Sequence, residues 1–236
     1  MNKTYRTALV ALFAVLFVSI ASLQAFAKEK FSLESYWKDS GKSYPAGKNF
    51  TKPGKWAPGQ YVLVGTKVKD KLDSVSRTLI VAKEGDGWII ESDSVDKKGK
   101  KSASQMLIKG YDAAMETADL TKIKVEWMKM KDDEGNVQTI EGEQMAIFNM
   151  FAKKVYESLI INIDSFKDGG AVTVPAGTFA GTNLYTSKTK VLGMTIENDS
   201  WYNAAVPVNG MVKSVTKDGK TVMELLDFGT NGTSVF

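Results

Sequence analysis

The stretch Val172-Thr-Val-Pro-Ala-Gly-Thr-Phe179 decides the fold, together with Trp201-Tyr202, Val206-Pro-Val-Asn-Gly-Met-Val-Lys-Ser214 and the closing Glu224-Leu-Leu-Asp-Phe-Gly229. Each piece is a short run of alternating character, cut by Pro or Gly. A period of two sends successive side chains to opposite faces of a strand. Pro and Gly at the breaks end one strand and turn the chain toward the next. The last third therefore reads as strands at Ala171–Val174, Thr178–Ser187, Met194–Tyr202, Met211–Lys217 and Thr221–Phe228, with Asp218-Gly219 as a tight hairpin turn.

The first half reads the same way. Strands are expected from Tyr61–Val64, over Ser74–Lys83, from Trp88–Ile90 and over Ser104–Lys109, with turns at Glu84-Gly-Asp-Gly87 and Asp96–Lys100. Lys122–Lys131 alternates, with Ile123, Val125 and Trp127 on one face and Lys122, Lys124 and Glu126 on the other. Met128 and Met130 fall on the charged face, so both faces are expected to be partly covered there. Asp132–Asn136 reads as a solvated turn; it lacks the spaced ligands and distal Glu of a calcium loop.

Between the two strand series lies one helix, Glu143–Ile160. Met145, Phe148, Ala152, Val155 and Leu159 recur at three- and four-residue steps. Ile147, Met150, Phe151 and Tyr156 widen the apolar face, so the helix is expected to be buried on more than one side or to cover something apolar. Strands, a helix, then strands, with no βαβ alternation, define an α+β fold around one antiparallel sheet. Residues 60–236 form a single domain in this reading.

Residues 28–59 read as an extended arm, with a short helix over Phe31–Trp37 and with Tyr36, Trp37, Tyr44 and Trp56 exposed to meet a partner. Ahead of it, Lys3 and Arg6, the apolar run Ala8–Ile20 and Ala25-Phe-Ala27 have the form of a secretory signal peptide over residues 1–27. An uncleaved anchor is the competing reading. The apolar run is short for a spanning helix, which needs about 20 residues.

Composition narrows the chemistry. There is no Cys and no His, which removes disulfides, Ser-His-Asp and Cys-His nucleophile systems and nearly all zinc, copper and haem sites. A net charge of +4, two units of it from Lys3 and Arg6, gives no basic footprint for nucleic acid. The expectation is a non-enzyme with no cofactor and no metal; a Lys- or carboxylate-based hydrolase is the minor alternative.

The motifs quoted first resemble exported bacterial proteins of the lipoprotein-carrier-like (LolA/LolB-type) half-barrel group. The likeness covers roughly residues 171–229. It implies a strongly curved antiparallel sheet, a half-barrel, wrapped on the helix around an apolar cavity that takes acyl chains. The carriers' lipoprotein-contacting arginine has no counterpart here, since Arg77 lies in no matching motif. On this basis the expected ligand is a lipid or acylated molecule, and the expected ligand-binding residues are Trp127, Met128, Met130, Phe148, Phe151, Trp201 and Tyr202. The competing use of the same aromatic and Met residues is to fill a core, with a protein of the envelope as partner.

Overall fold

The computed structural model describes residues 31–46, 50, 53–117, 119–158, 160–191 and 194–236, with the side chains of 155–166, 191 and 194 outside that description. The expected signal peptide, residues 1–27, also lies outside it.

Among the described residues the chain forms twelve strands and two α-helices, an α+β fold. A 3₁₀ turn at Leu33–Tyr36 precedes β1 (Ser43–Tyr44). The first meander is β2 (Tyr61–Val68), β3 (Lys71–Glu84), β4 (Gly87–Asp96) and β5 (Lys101–Lys109). Helix α1 (Tyr111–Thr117) leads to β6 (Lys124–Lys131) and β7 (Val137–Ile140). Helix α2 (Gly142–Ser158) then returns the chain to β8 (Ile160–Val174), β9 (Gly177–Val191), β10 (Met194–Tyr202), β11 (Met211–Thr216) and β12 (Thr221–Gly229).

All strands belong to one sheet. Its order is β9-β10-β11-β12-β2-β3-β4-β5-β6-β7, with β8 also on β9, so the two meanders join where β12 pairs antiparallel with β2. The only parallel pairing among the described residues is β1 on β9, with Tyr44 opposite Phe179. Strands β7 and β8 leave the sheet open rather than closed into a barrel. Helix α2 joins them.

Several strands are longer than their alternation suggests, because bulges reset the period. In β6 the register shifts opposite Leu107/Ile108, leaving Glu126 as the extra residue. Val125 is thereby packed in one cluster with Met128, although alternation placed them on opposite faces. In β8 three shifts between Ile163 and Val172 break the period, which is why the sequence reading ends the helix at Ile160 and begins the strand only at Ala171, although the strand starts at Ile160. β7 was too short and polar to be read at all.

One face of the sheet, called inner here, carries the main core. Val62, Val64, Ile80, Trp88, Ile90, Phe179, Tyr202, Val212 and Leu225 form a single cluster drawn from seven strands. The arm closes this cluster at one end. Phe50 stacks on Tyr202 with centroids 5.1 Å apart, and its ring lies where a side chain on Gly210 would be, so only glycine fits there. Trp56 lies flat on Tyr111 at 3.5 Å and donates its indole N–H to the Val208 carbonyl at 3.0 Å. The arm is therefore not a free aromatic surface. Trp56 is 7% exposed and Trp37 and Tyr44 are half-buried; only Tyr36 lies open. A lone apolar residue in a Gly- and Lys-rich stretch gives no periodic sign of burial, so local sequence could not place it.

The outer face is covered by both termini of the described chain. Leu33 and Trp37 pack on Leu63, Val75, Val95 and Leu226, and the Trp37 ring occupies the space above Gly65. The tail after β12 runs back across β3, β4 and β5.

Candidate ligand-binding faces of the sheet

Away from the aromatic end, the inner face changes character. Thr66 stands opposite Ser74; Ser76, Ser94 and Ser102 form one row across β3, β4 and β5, and Thr78, Ser92 and Ser104 form the next. On the other meander Ser200 and Ser214 are paired, with hydroxyls 2.8 Å apart. Small hydroxyl side chains thus floor this end, buried at Ser200 and Ser214, exposed at Ser102 and half-buried at the others, while Met106, Met128 and Ile140 border them. Thr189 on β9 is 2% exposed and its hydroxyl has no partner among the described residues.

Helix α2 packs on the Met-rich border. Met145 and Ala152 are buried and Phe148 is half-buried against the cluster of Val125 and Met128. Asn149 fixes the helix to the rim of β6 beyond the end of β7. Its amide accepts from the Val125 N–H at 2.9 Å and donates to the Val125 carbonyl at 2.6 Å, replacing the missing strand. The opposite side of the helix is open: Ile147, Met150 and Phe151 are 66%, 58% and 59% exposed. Among the described side chains the helix is therefore buried on one side, not several.

The residues singled out from sequence fall into three places. Met128 and Phe148 share the cluster under α2, with Phe151 on the open side of the same helix and Met130 exposed farther along β6. Tyr202 is in the aromatic end with Phe50 and Tyr185, where burial pushes its hydroxyl up. Trp127 and Trp201 alternate to the outer face; Lys129 lies over the Trp127 ring at 5.1 Å, and the Trp201 indole packs over Gly169. One site does not hold all seven.

The outer face holds two features that local sequence did not mark. The first is a buried charge node. Glu91 has no exposed surface; it accepts from Arg77 at 3.0 Å, from Gln105 at 3.2 Å, from the Val235 N–H at 3.0 Å and from the Ser234 hydroxyl. The second is a cavity of about 490 Å³ beside this node, between Tyr36, Val95, Ala103, the Asp132–Gly135 turn and Val235. Asp93 on its wall is held above the usual carboxylate range by burial, against the opposing pull of Arg77. No cluster of metal-ligating side chains occurs among the described residues.

No protein-family profile matches the chain, and no curated protein matches its sequence. Three solved structures are similar in outline. A candidate lipoprotein of Parabacteroides distasonis is 14% identical over 73% of this chain and 96% of its own, at a TM-score of 0.36. A candidate exported protein with a YmcC-like fold from Bacteroides fragilis is 13% identical over 75% and 98%, at 0.33. MucB is 9% identical over 75% and 55%, at 0.29. At these scores the likenesses carry no functional weight.

Proposed function

We propose that this chain is an exported envelope protein, periplasmic or secreted, that binds an apolar or acylated ligand between the inner sheet face and α2 without catalysing a reaction on it. The observation that carries the reading is the open side of α2. Ile147, Met150 and Phe151 lie within one helical turn of each other and are the three most exposed of the large apolar side chains described. Burying an acyl chain against them would contribute about 0.8 kcal/mol per CH₂, enough for useful affinity without a charged anchor.

The proposal includes a curved, half-barrel sheet. Ten strand spacings separate β7 from β8 along the sheet, which in a flat sheet is ~48 Å. The 17 residues of α2 span ~26 Å, with few residues to spare at either end. The Ala176 N–H, in the β8–β9 turn, also donates to the Leu225 carbonyl on β12 at 3.1 Å, across two intervening strands. Both observations favour a sheet bent toward its inner face.

A second reading is an envelope interaction protein with a packed core and a protein partner. It draws on the aromatic end, where Phe179, Val212 and Leu225 have no exposed surface. Native mass spectrometry of protein purified from its own envelope, followed by organic extraction, separates the two. A lipid at fixed stoichiometry, lost on denaturation, supports ligand carriage. A clean apo mass with no uptake of offered fatty acid or phospholipid supports the protein partner.

A further inference from the structure

The outer-face cavity is independent of the inner-face reading, and its walls come from four separate parts of the chain. One row of side chains crosses the sheet through Leu63, Arg77, Asp93, Ala103 and Lys131. Four of the five are large or charged; Ala103 offers only a methyl, and the cavity opens above it. The 3₁₀ turn brings Tyr36 to one side, the β6–β7 turn brings Asp133, and the tail brings Val235. Val75 and Val95 add an apolar floor. The volume, about 490 Å³, falls among small-molecule sites of roughly 300–1,000 Å³.

The polar groups around that floor divide into used and unused. Arg77 is committed to Glu91, Asp93 and the Thr233 carbonyl, and Lys131 to the Val235 carbonyl. Asp132 is committed to the backbone of its own turn and to Asn136. Lys101 and Asp133 have no ion-pair partner among the described residues, and Asp93 uses only its Oδ2, on Arg77. An unused ammonium and unused carboxylate oxygens therefore line one cavity over an apolar floor.

We propose that this cavity binds a small zwitterion with an apolar body, of the amino-acid or short-peptide class. The ligand's carboxylate meets Lys101, its ammonium meets Asp93 and Asp133, and its side chain rests on Ala103, Val75 and Val95. A ligand bearing one charge satisfies only one half of the polar set.

The test is an amide chemical-shift titration of the protein with Leu-Leu and with free leucine, using octylamine and octanoate as single-charge controls. Saturable shifts centred on Asp93, Val95, Lys101 and Ala103, with Leu-Leu or leucine binding tighter than either control, are expected. Ala103→Leu fills the cavity and Lys101→Ala removes the cation, and each should weaken binding at least about tenfold with the rest of the spectrum unchanged. Should Ala103→Leu fail to fold, Lys101→Ala alone decides. No saturable shift with either zwitterion overturns the proposal. Octylamine binding as tightly as Leu-Leu, or Lys101→Ala without effect, overturns the zwitterion class.

Discussion

The Arg77 guanidinium donates to the fully buried Glu91 carboxylate at 3.0 Å, and through the same carboxylate the tail at Ser234 and Val235 is held against the sheet. Removing one member of such a pair leaves an uncompensated buried charge. Arg77→Met should therefore cost about 3–5 kcal/mol in a urea melt, and the double variant Arg77→Met/Glu91→Leu should recover much of it. A double variant no more stable than the single one would show that the tail contacts, not the charge, dominate the node.

Trp56→Ala should destabilise the protein by about 3–5 kcal/mol, the range for deleting a buried aromatic side chain. Tyr36→Ala, at an arm aromatic that lies open, should change the urea midpoint little. Equal effects would contradict the packing of Trp56 on Tyr111 and its bond to the Val208 carbonyl.

Phe151→Ala should leave stability within about 0.5 kcal/mol, as for other exposed positions, and should weaken uptake of a fatty-acid probe if the inner-face reading is right. Phe148→Ala, on the packed side of the same helix, should lower the melting temperature. A large stability loss at Phe151 would place it in a core and remove the observation behind the proposed ligand.

Thr189→Val keeps the shape of a buried side chain and deletes a hydroxyl without a partner. An unsatisfied buried group costs about 1–3 kcal/mol, so the variant should be more stable than the parent, read as a higher urea midpoint at unchanged slope. A loss of stability would mean that the hydroxyl has a partner in solution.

Two carboxylates give opposite pH signatures. For Glu224, burial pushes the pKa up, but the hydrogen bond and charge of Lys67, the Trp37 indole N–H and Lys213 outweigh it and hold the group below its usual value. Glu224 thus contributes stability that is present above its unfolded pKa and is lost as pH falls through the folded one. Asp93 is shifted upward, chiefly by burial, so its ionisation costs stability as pH rises from its unfolded toward its folded pKa. Glu224→Gln should flatten the acid-side fall of stability, and Asp93→Asn should remove the fall on the rising side. Unchanged stability–pH curves in both variants would contradict the environments described for these groups.

Much of the fold is legible in local sequence because hairpins declare themselves locally. Gly85, at φ 60°, and Gly219, at φ 69°, lie in the tight turns read from sequence, which set the register of their flanking strands. Residues 160–170 were misread because three bulges remove the period on which strand recognition depends. Of the expected site residues, Met128 and Phe148 meet under α2, whereas Trp127 and Trp201 alternate to the outer face. Reading their faces requires the bulge positions, and a bulge is fixed by the partner strand.

By itself the sequence determined the strand–helix–strand order, the α+β class and the chemistry that a chain without His or Cys lacks, since periodicity and composition are local properties. Only the tertiary structure decided that β12 joins β2, that Phe50 and Trp56 close the core, and that Glu91, Arg77 and the tail form one node. Those relationships link residues up to 168 positions apart, as in the pairing of Tyr61 with Gly229. Their energy comes from burial and from satisfying polar groups that no nearby residue could reach.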